Sequence, residues 1–223
     1  EEIAAFARLY GATKRAYLRL GYGFTRSRNG AAQMFSASCL PAVTGAWRHK
    51  GGGALYGMAD VYRLDKTLIE GLNARDKSVR VFDQSRIGPI LVGDKRDLGD
   101  GPPVTALFIQ NTNPMVVCPE SLKVRDGFRR DDLFVCVHEQ FMTDTAAMAD
   151  IVLPATTFLE HDDIYQAGGH THLQVTKKVI EPVGEARSNH DVICALAKRL
   201  GAKHEGFEIG AWEIIDRMLK ASF

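Results

Sequence analysis

Cysteine is scarce in this chain, with four residues in 223 and no CxxC pair. Cys39, Cys118, Cys136 and Cys194 stand 79, 18 and 58 residues apart. That spacing argues against a zinc ribbon or an iron–sulfur site held by this chain alone. Residues such as Cys136, within Phe134-Val135-Cys136-Val137, read as small buried hydrophobes. A dominant charge is also lacking: 28 basic residues face 27 acidic ones, for a net charge of +1. No long-range field gathers nucleic acid or an anionic membrane, so neither is expected as a partner. No stretch reaches the roughly 20 apolar residues that span a bilayer, and no short repeat marks a solenoid or fibre. What is present, 45% apolar residues over this length, suffices for one large or two modest globular domains. The chain opens on Glu1-Glu2-Ile3-Ala4-Ala5-Phe6, within a helical pattern and without an initiator Met, and closes on another helical pattern ending at Phe223. It is therefore expected to be a piece of a longer polypeptide.

The periodicity predicts an alternation of helices and strands. A helical pattern (Ile3, Phe6, Ala7, Tyr10) precedes a short strand at 16–20 and a glycine turn, Gly21-Tyr22-Gly23. Helical spacing then runs from Asn29 to about Trp47, with a kink or break expected at Pro41. Gly51-Gly52-Gly53 closes that unit. Over 54–93 the reading is a helix near 66–72, a strand near 79–82 and a loop at Gly88-Pro89. The segment 94–103 (DKRDLGDGPP) is polar and rich in Gly and Pro, the best linker in the chain. Apolar strands follow at 104–109, 133–137 and 150–154, with helices at 121–129 and 143–148 between them. An edge strand at 173–179 and helices at 189–200 and 208–219 complete the chain. Continuous apolar strands separated by helices indicate a parallel sheet covered on both faces. The expected class is α/β: two open, mainly parallel-sheet lobes, over 1–93 and 104–223, joined by the linker at 94–103.

Ligands of such sheets bind beyond the carboxyl ends of the strands. Three loops qualify. The first, Gly21 to Gly30, fits backbone N–H groups facing a phosphate at a helix N-terminus. It departs from the dinucleotide fingerprint because Arg26 occupies the third glycine position. Arg26 and Arg28 offer anion partners there, and a tight turn with two solvated arginines accounts for them equally. The second carries Asn111, Asn113 and Pro114; short amides donate to phosphate or ribose oxygens, and they also make Asx turns. In the third, Glu139 follows His138, and Thr143 caps a helix with Asp144 and Thr145 in its first turn. A carboxylate accepts two hydrogen bonds from a donor pair such as guanine N1–H and N2–H₂, although an exposed Glu beside an N-cap is the commoner arrangement. Glu160-His161-Asp162-Asp163, His170 and His172 could suggest a metal site, but their spacing is loose and a polar surface loop is the favoured reading.

Four stretches, in this order, resemble the central part of molybdopterin oxidoreductases of the DMSO reductase and formate dehydrogenase superfamily: LRLGYGFTRSRNGAAQ with LPAVTGAWRHKGGG; ALFIQNTNP; LFVCVHEQFMTDTAAMADIVLPATTFLEHDD; and IEPVGEARSNHDVICALAKRLG. The third is the most specific, with an acidic residue, a Phe, Thr-x-Thr and Ala-Asp-x-Val-Leu-Pro. The resemblance implies molybdenum or tungsten held between two molybdopterin guanine dinucleotides, each lobe taking the nucleotide end of one. Glu139 would then recognise guanine with support from Thr143, and Asn111, Asn113 and Pro114 would line the nucleotide and pyrophosphate path. Gly21, Gly23, Arg26, Asn29 and Gly30 would form the loop of the other lobe. Gly168-Gly169-His170 departs from the Glu-Gly-Arg common in the family. The resemblance places the axial metal ligand, and the cysteines of an iron–sulfur cluster where members have one, upstream of this stretch. A completing β-barrel lies downstream. This stretch alone is thus expected to be inactive, its partners being the remaining domains of the same polypeptide and, in the complete enzyme, an electron-transfer subunit. Two readings of other classes stay open: a hydratase-type or redox-inactive relative, and a small guanine-nucleotide-binding module.

Overall fold

A computed structural model describes residues 1–25, 29–57 and 61–223. The chain forms two compact units, one of residues 1–63 with 165–174 and one of residues 64–164 with 175–223.

In the first unit, α1 (Glu2–Ala12) leads to β1 (Tyr17–Arg19), a single-turn helix α2 (Tyr22–Thr25), α3 (Gly30–Val43) and β2 (Gly53–Leu55). β1 and β2 pair in parallel, from Tyr17 opposite Gly53 to Arg19 opposite Leu55. The triple glycine thus begins a strand as well as ending a helical unit. Gly53 has φ +115°, and a Cβ there would stand 2.5 Å from the Trp47 ring. Only glycine lets the ring lie on the strand. Helix α3 continues through Pro41, which cannot donate to the Ala37 carbonyl, and it ends two residues later at Val43.

The second unit contains α4 (Thr67–Glu70), α5 (Ile87–Leu91), α6 (Lys95–Leu98), β3 (Ala106–Gln110), α7 (Pro114–Val117), α8 (Ser121–Phe128), β4 (Phe134–Glu139) and β5 (Ile151–Pro154). Strands β3, β4 and β5 form a parallel sheet in that order. Beyond them, β6 (Asp163–Gln166) and β7 (Leu173–Thr176) pair with each other, and α9 (Asn189–Leu200) and α10 (Ala211–Ser222) close the chain. One face of the parallel sheet packs Leu107, Ile109, Val135, Val137 and Val152 against Leu91, Val124 and Phe128 of α5 and α8. The other carries Phe108, Phe134 and Ile151, each 40–47% exposed.

Gly88-Pro89, expected as a loop, lies inside α5 and is buried. Proline is compatible with a helix's first turn, and glycine lets two helices touch. A Cβ on Gly88 would stand 2.9 Å from the Val124 backbone nitrogen, and one on Gly127 would overlap the Leu91 side chain. The strand expected at 79–82 does not form: Val79 and Val81 are exposed, and Arg80 donates instead to the Leu98 and Pro102 carbonyls. The expected linker at 94–103 lies within the second unit. There Asp94 caps α6 through Arg96 N–H, and Arg86 pairs with both Asp94 and Asp97. The polar segment forms an ion-paired corner with Leu98 buried.

Candidate functional site

The carboxyl ends of β3, β4 and β5 lie side by side, with Gln110 opposite His138 and Glu139 opposite Pro154. Beyond them the Arg187 segment continues the sheet as an isolated parallel bridge to Ala155. The Arg187 N–H donates to the Pro154 carbonyl (3.1 Å), and the Thr156 N–H donates to the Arg187 carbonyl (3.2 Å).

Two of the three expected loops meet on this edge. Asn111, directly after β3, takes a left-handed conformation (φ +57°), which asparagine tolerates better than most residues. It turns the chain into Asn113 and Pro114, the latter buried at the start of α7. Asn113 Oδ1 accepts from the Thr145 hydroxyl (2.7 Å) and backbone N–H (3.3 Å), and the Thr145 hydroxyl accepts in turn from Met115 N–H (3.1 Å). Thr145, with no exposed surface, therefore joins the loop after β3 to the loop after β4. Thr143 caps the turn at 146–148 by accepting from Ala146 N–H (3.1 Å).

Glu139 is half-buried at the end of the central strand. Its Oε1 accepts from Gln140 N–H (2.7 Å), and its Oε2 accepts from none of the described residues. Both Asn113 acceptor bonds go to Thr145, and its side-chain N–H₂ has no partner among the described residues. Among the described residues, the edge therefore offers a carboxylate oxygen after β4 and an amide donor after β3, neither of them partnered. That set matches a ligand presenting N–H donors beside oxygen acceptors.

The first expected loop is built differently. Gly21 precedes α2, Gly23 lies within it, and a Cβ on either would meet open space. Neither glycine is required there by crowding or by positive φ. Asn29 precedes α3 without capping it through its side chain, and Gly30 is the buried first residue of that helix. Arg26 and Arg28 lie outside the described residues.

The polar segment at 160–163 is committed internally. Glu160, 5% exposed, accepts from Thr157 N–H (2.6 Å), the Thr157 hydroxyl (2.9 Å) and Val183 N–H (2.7 Å), and these bonds hold its carboxyl below the usual range. Asp162 accepts from Lys178 N–H and the Trp212 indole, and it too is held low. His161 bonds to the Thr156 hydroxyl (2.9 Å), and His170 accepts from His172 N–H (3.1 Å). Among the described residues, no group of three such side chains is placed to hold a metal ion. Burial pushes the Cys136 and Cys194 thiols up, in keeping with their reading as small hydrophobes.

Two residues matter more to this edge than their sequence signals suggested. Thr145 looked like one polar residue of a short helix, and His138 like a strand residue before Glu139. The available signal was a histidine at the end of an apolar run, Phe134 to Val137, where an unpaired polar group is costly.

The family model of molybdopterin oxidoreductases matches residues 6–199. Among curated relatives, the chain is 39% identical over 202 residues to a probable oxidoreductase, YoaE, of Bacillus subtilis (strain 168), covering 90% of this chain and 29% of that protein. It is 31% identical to a second probable oxidoreductase of the same organism, YyaE, over 99% of this chain and 32% of that one. It is 30% identical to the dimethyl sulfoxide/trimethylamine N-oxide reductase of Rhodobacter capsulatus, over 92% of this chain and 28% of the relative. The chain thus spans about three-tenths of the length of these relatives. With most of its length matched and both loops of the sheet edge inside the match, the chain belongs to the molybdopterin oxidoreductase family.

Proposed function

We propose that this chain holds the guanine ends of a molybdopterin guanine dinucleotide cofactor, in an enzyme that carries out two-electron redox chemistry at molybdenum or tungsten. The observation that carries the reading is the half-buried Glu139 carboxylate at the carboxyl end of the central strand, with one oxygen unpartnered among the described residues. Guanine presents N1–H and N2–H₂ side by side, and a carboxylate is the side chain that accepts from both. Asn111, Asn113 and Thr143 supply donors for ribose and phosphate oxygens around it, and Pro114 fixes the exit of the loop. The cofactor, when bound, supplies the redox chemistry; these side chains bind and orient it. In the first unit, Gly21, Gly23, Arg26, Asn29 and Gly30 are proposed to approach the second dinucleotide.

The chain's surface supports a setting among further domains. It exposes 15,529 Å², where a self-contained protein of 24.6 kDa exposes roughly 10,000 Å². Even two separate bodies of the sizes of its units would expose only roughly 12,000 Å². The remaining domains of the polypeptide are proposed to cover the excess.

The test is elemental analysis of the complete protein for Mo and W, with GMP released by mild acid. Two GMP per metal is expected. Neither metal nor GMP, in cells that make the cofactor, refutes the reading. Glu139→Gln replaces one acceptor oxygen with a donor facing guanine N–H groups, at a cost of about 1.5–3 kcal/mol for a charged hydrogen bond. Clear loss of bound GMP is expected, and wild-type occupancy removes Glu139 from the role.

A further inference from the structure

The histidine beneath the sheet edge has no part in the ligand contacts proposed above, yet it is completely buried. Its register places it between Gln110 on β3 and Leu153 on β5, one residue before Asn111, Glu139 and Pro154. Both ring nitrogens are engaged. The Arg187 carbonyl can only accept, so the Nε2 lying 3.1 Å from it carries the proton. The Nδ1 lone pair then accepts from the Gln110 side-chain amide at 2.9 Å. One imidazole therefore ties the end of β3, through Gln110, to the segment beyond β5, through the Arg187 peptide. Successive side chains of a strand leave on opposite faces, so the His138 ring and the Glu139 carboxylate leave β4 on opposite faces. Its influence passes through the backbone on either side of that carboxylate.

We infer that His138 is a positioning residue for the nucleotide edge: its two bonds fix the loop carrying Asn111 and Asn113, and the Arg187 segment, at set distances from Glu139. The need for both bonds explains why a residue with one donor and one acceptor on opposite sides of a rigid ring occupies an apolar strand. The role is distinct from packing, which Val135 and Val137 supply on the other face. The inference rests on the guanine reading of Glu139.

The experiment compares cofactor retention, read as acid-released GMP per metal after exhaustive dialysis, in variants of the complete protein. His138→Leu removes both bonds and is expected to lower retention by about tenfold, the low end of what second-layer partners of a cofactor site cost. His138→Asn keeps the reach of Nδ1 toward Gln110, and His138→Gln keeps the reach of Nε2 toward Arg187. Each is expected to fall between wild type and His138→Leu, and one of them is available if the leucine variant does not fold. Val137→Ala, a neighbouring core truncation compared at an equal loss of Tm, is expected to keep wild-type GMP. Wild-type retention in His138→Leu, or an equal loss in Val137→Ala, overturns the inference. Loss in Glu139→Gln with retention in His138→Leu overturns the inference alone, whereas retention in Glu139→Gln overturns the guanine reading itself.

Discussion

Replacing Thr145 with Val exchanges a hydroxyl for a methyl of nearly the same volume, at a residue with no exposed surface. If Thr145 only filled space, the change would be almost neutral, since volume-conserving apolar swaps are well tolerated. The hydroxyl, however, donates to Asn113 Oδ1 and accepts from Met115 N–H near the start of α7. Valine removes the first bond, worth about 1 kcal/mol, and strands a part-buried donor at a further cost of about 1–2 kcal/mol. Asn113 Oδ1 keeps only its 3.3 Å bond from Thr145 N–H. The expected loss is about 2–3 kcal/mol, or roughly 4–12 °C in Tm for a chain of this size. Thr145→Ser keeps the hydroxyl and gives up a methyl, for about 1 kcal/mol. Urea unfolding followed by tryptophan fluorescence reads both. Trp212, bonded to Asp162, reports the unit that contains Thr145. The order expected is valine worse than serine, with m unchanged. Valine within about 0.5 kcal/mol of wild type, or serine worse than valine, refutes the clamp and leaves Thr145 as packing.

Gly127→Ala drives a methyl into Leu91 where α5 meets α8, and a loss of about 1–3 kcal/mol is expected in the same unfolding assay. An unchanged midpoint would mean that the helices separate freely. The folded-state carboxyl of Glu160 is held below its ordinary value by backbone donors, so its contribution is present above the unfolded-state pKa and is lost as pH falls through the acid range below about 4.5. Unfolding midpoints measured from pH 7 to pH 3 should fall less steeply in Glu160→Gln than in wild type, and identical slopes would remove Glu160 as a source of acid sensitivity. The half-buried Cys136 thiol should alkylate with iodoacetamide at pH 8 more slowly than it does in urea, read by mass spectrometry, because partial burial raises its pKa. Equal rates would show that β4 opens readily.

The strands of the larger sheet were legible because each is a continuous apolar run, and such runs form parallel strands when helices stand between them. β2 was not legible: three residues led by glycine carry no strand signal, and its place depends on pairing with β1 and on the Trp47 ring lying over Gly53. Gly88-Pro89 misled for the same reason. Both residues break helices in isolation, and only contact with Val124 shows why a glycine there helps two helices meet.

The sequence by itself determined the α/β class, the three strands of the parallel sheet and the candidates Asn111, Asn113, Pro114, Glu139 and Thr143, because period and turn chemistry are local properties. Only the tertiary structure decided what those candidates share. The bond from Thr145 to Asn113 spans 32 residues, and the bridge from His138 to Arg187 spans 49. Such pairings are set by strand order and register, which depend on every element packing at once and leave no trace in any short window of residues.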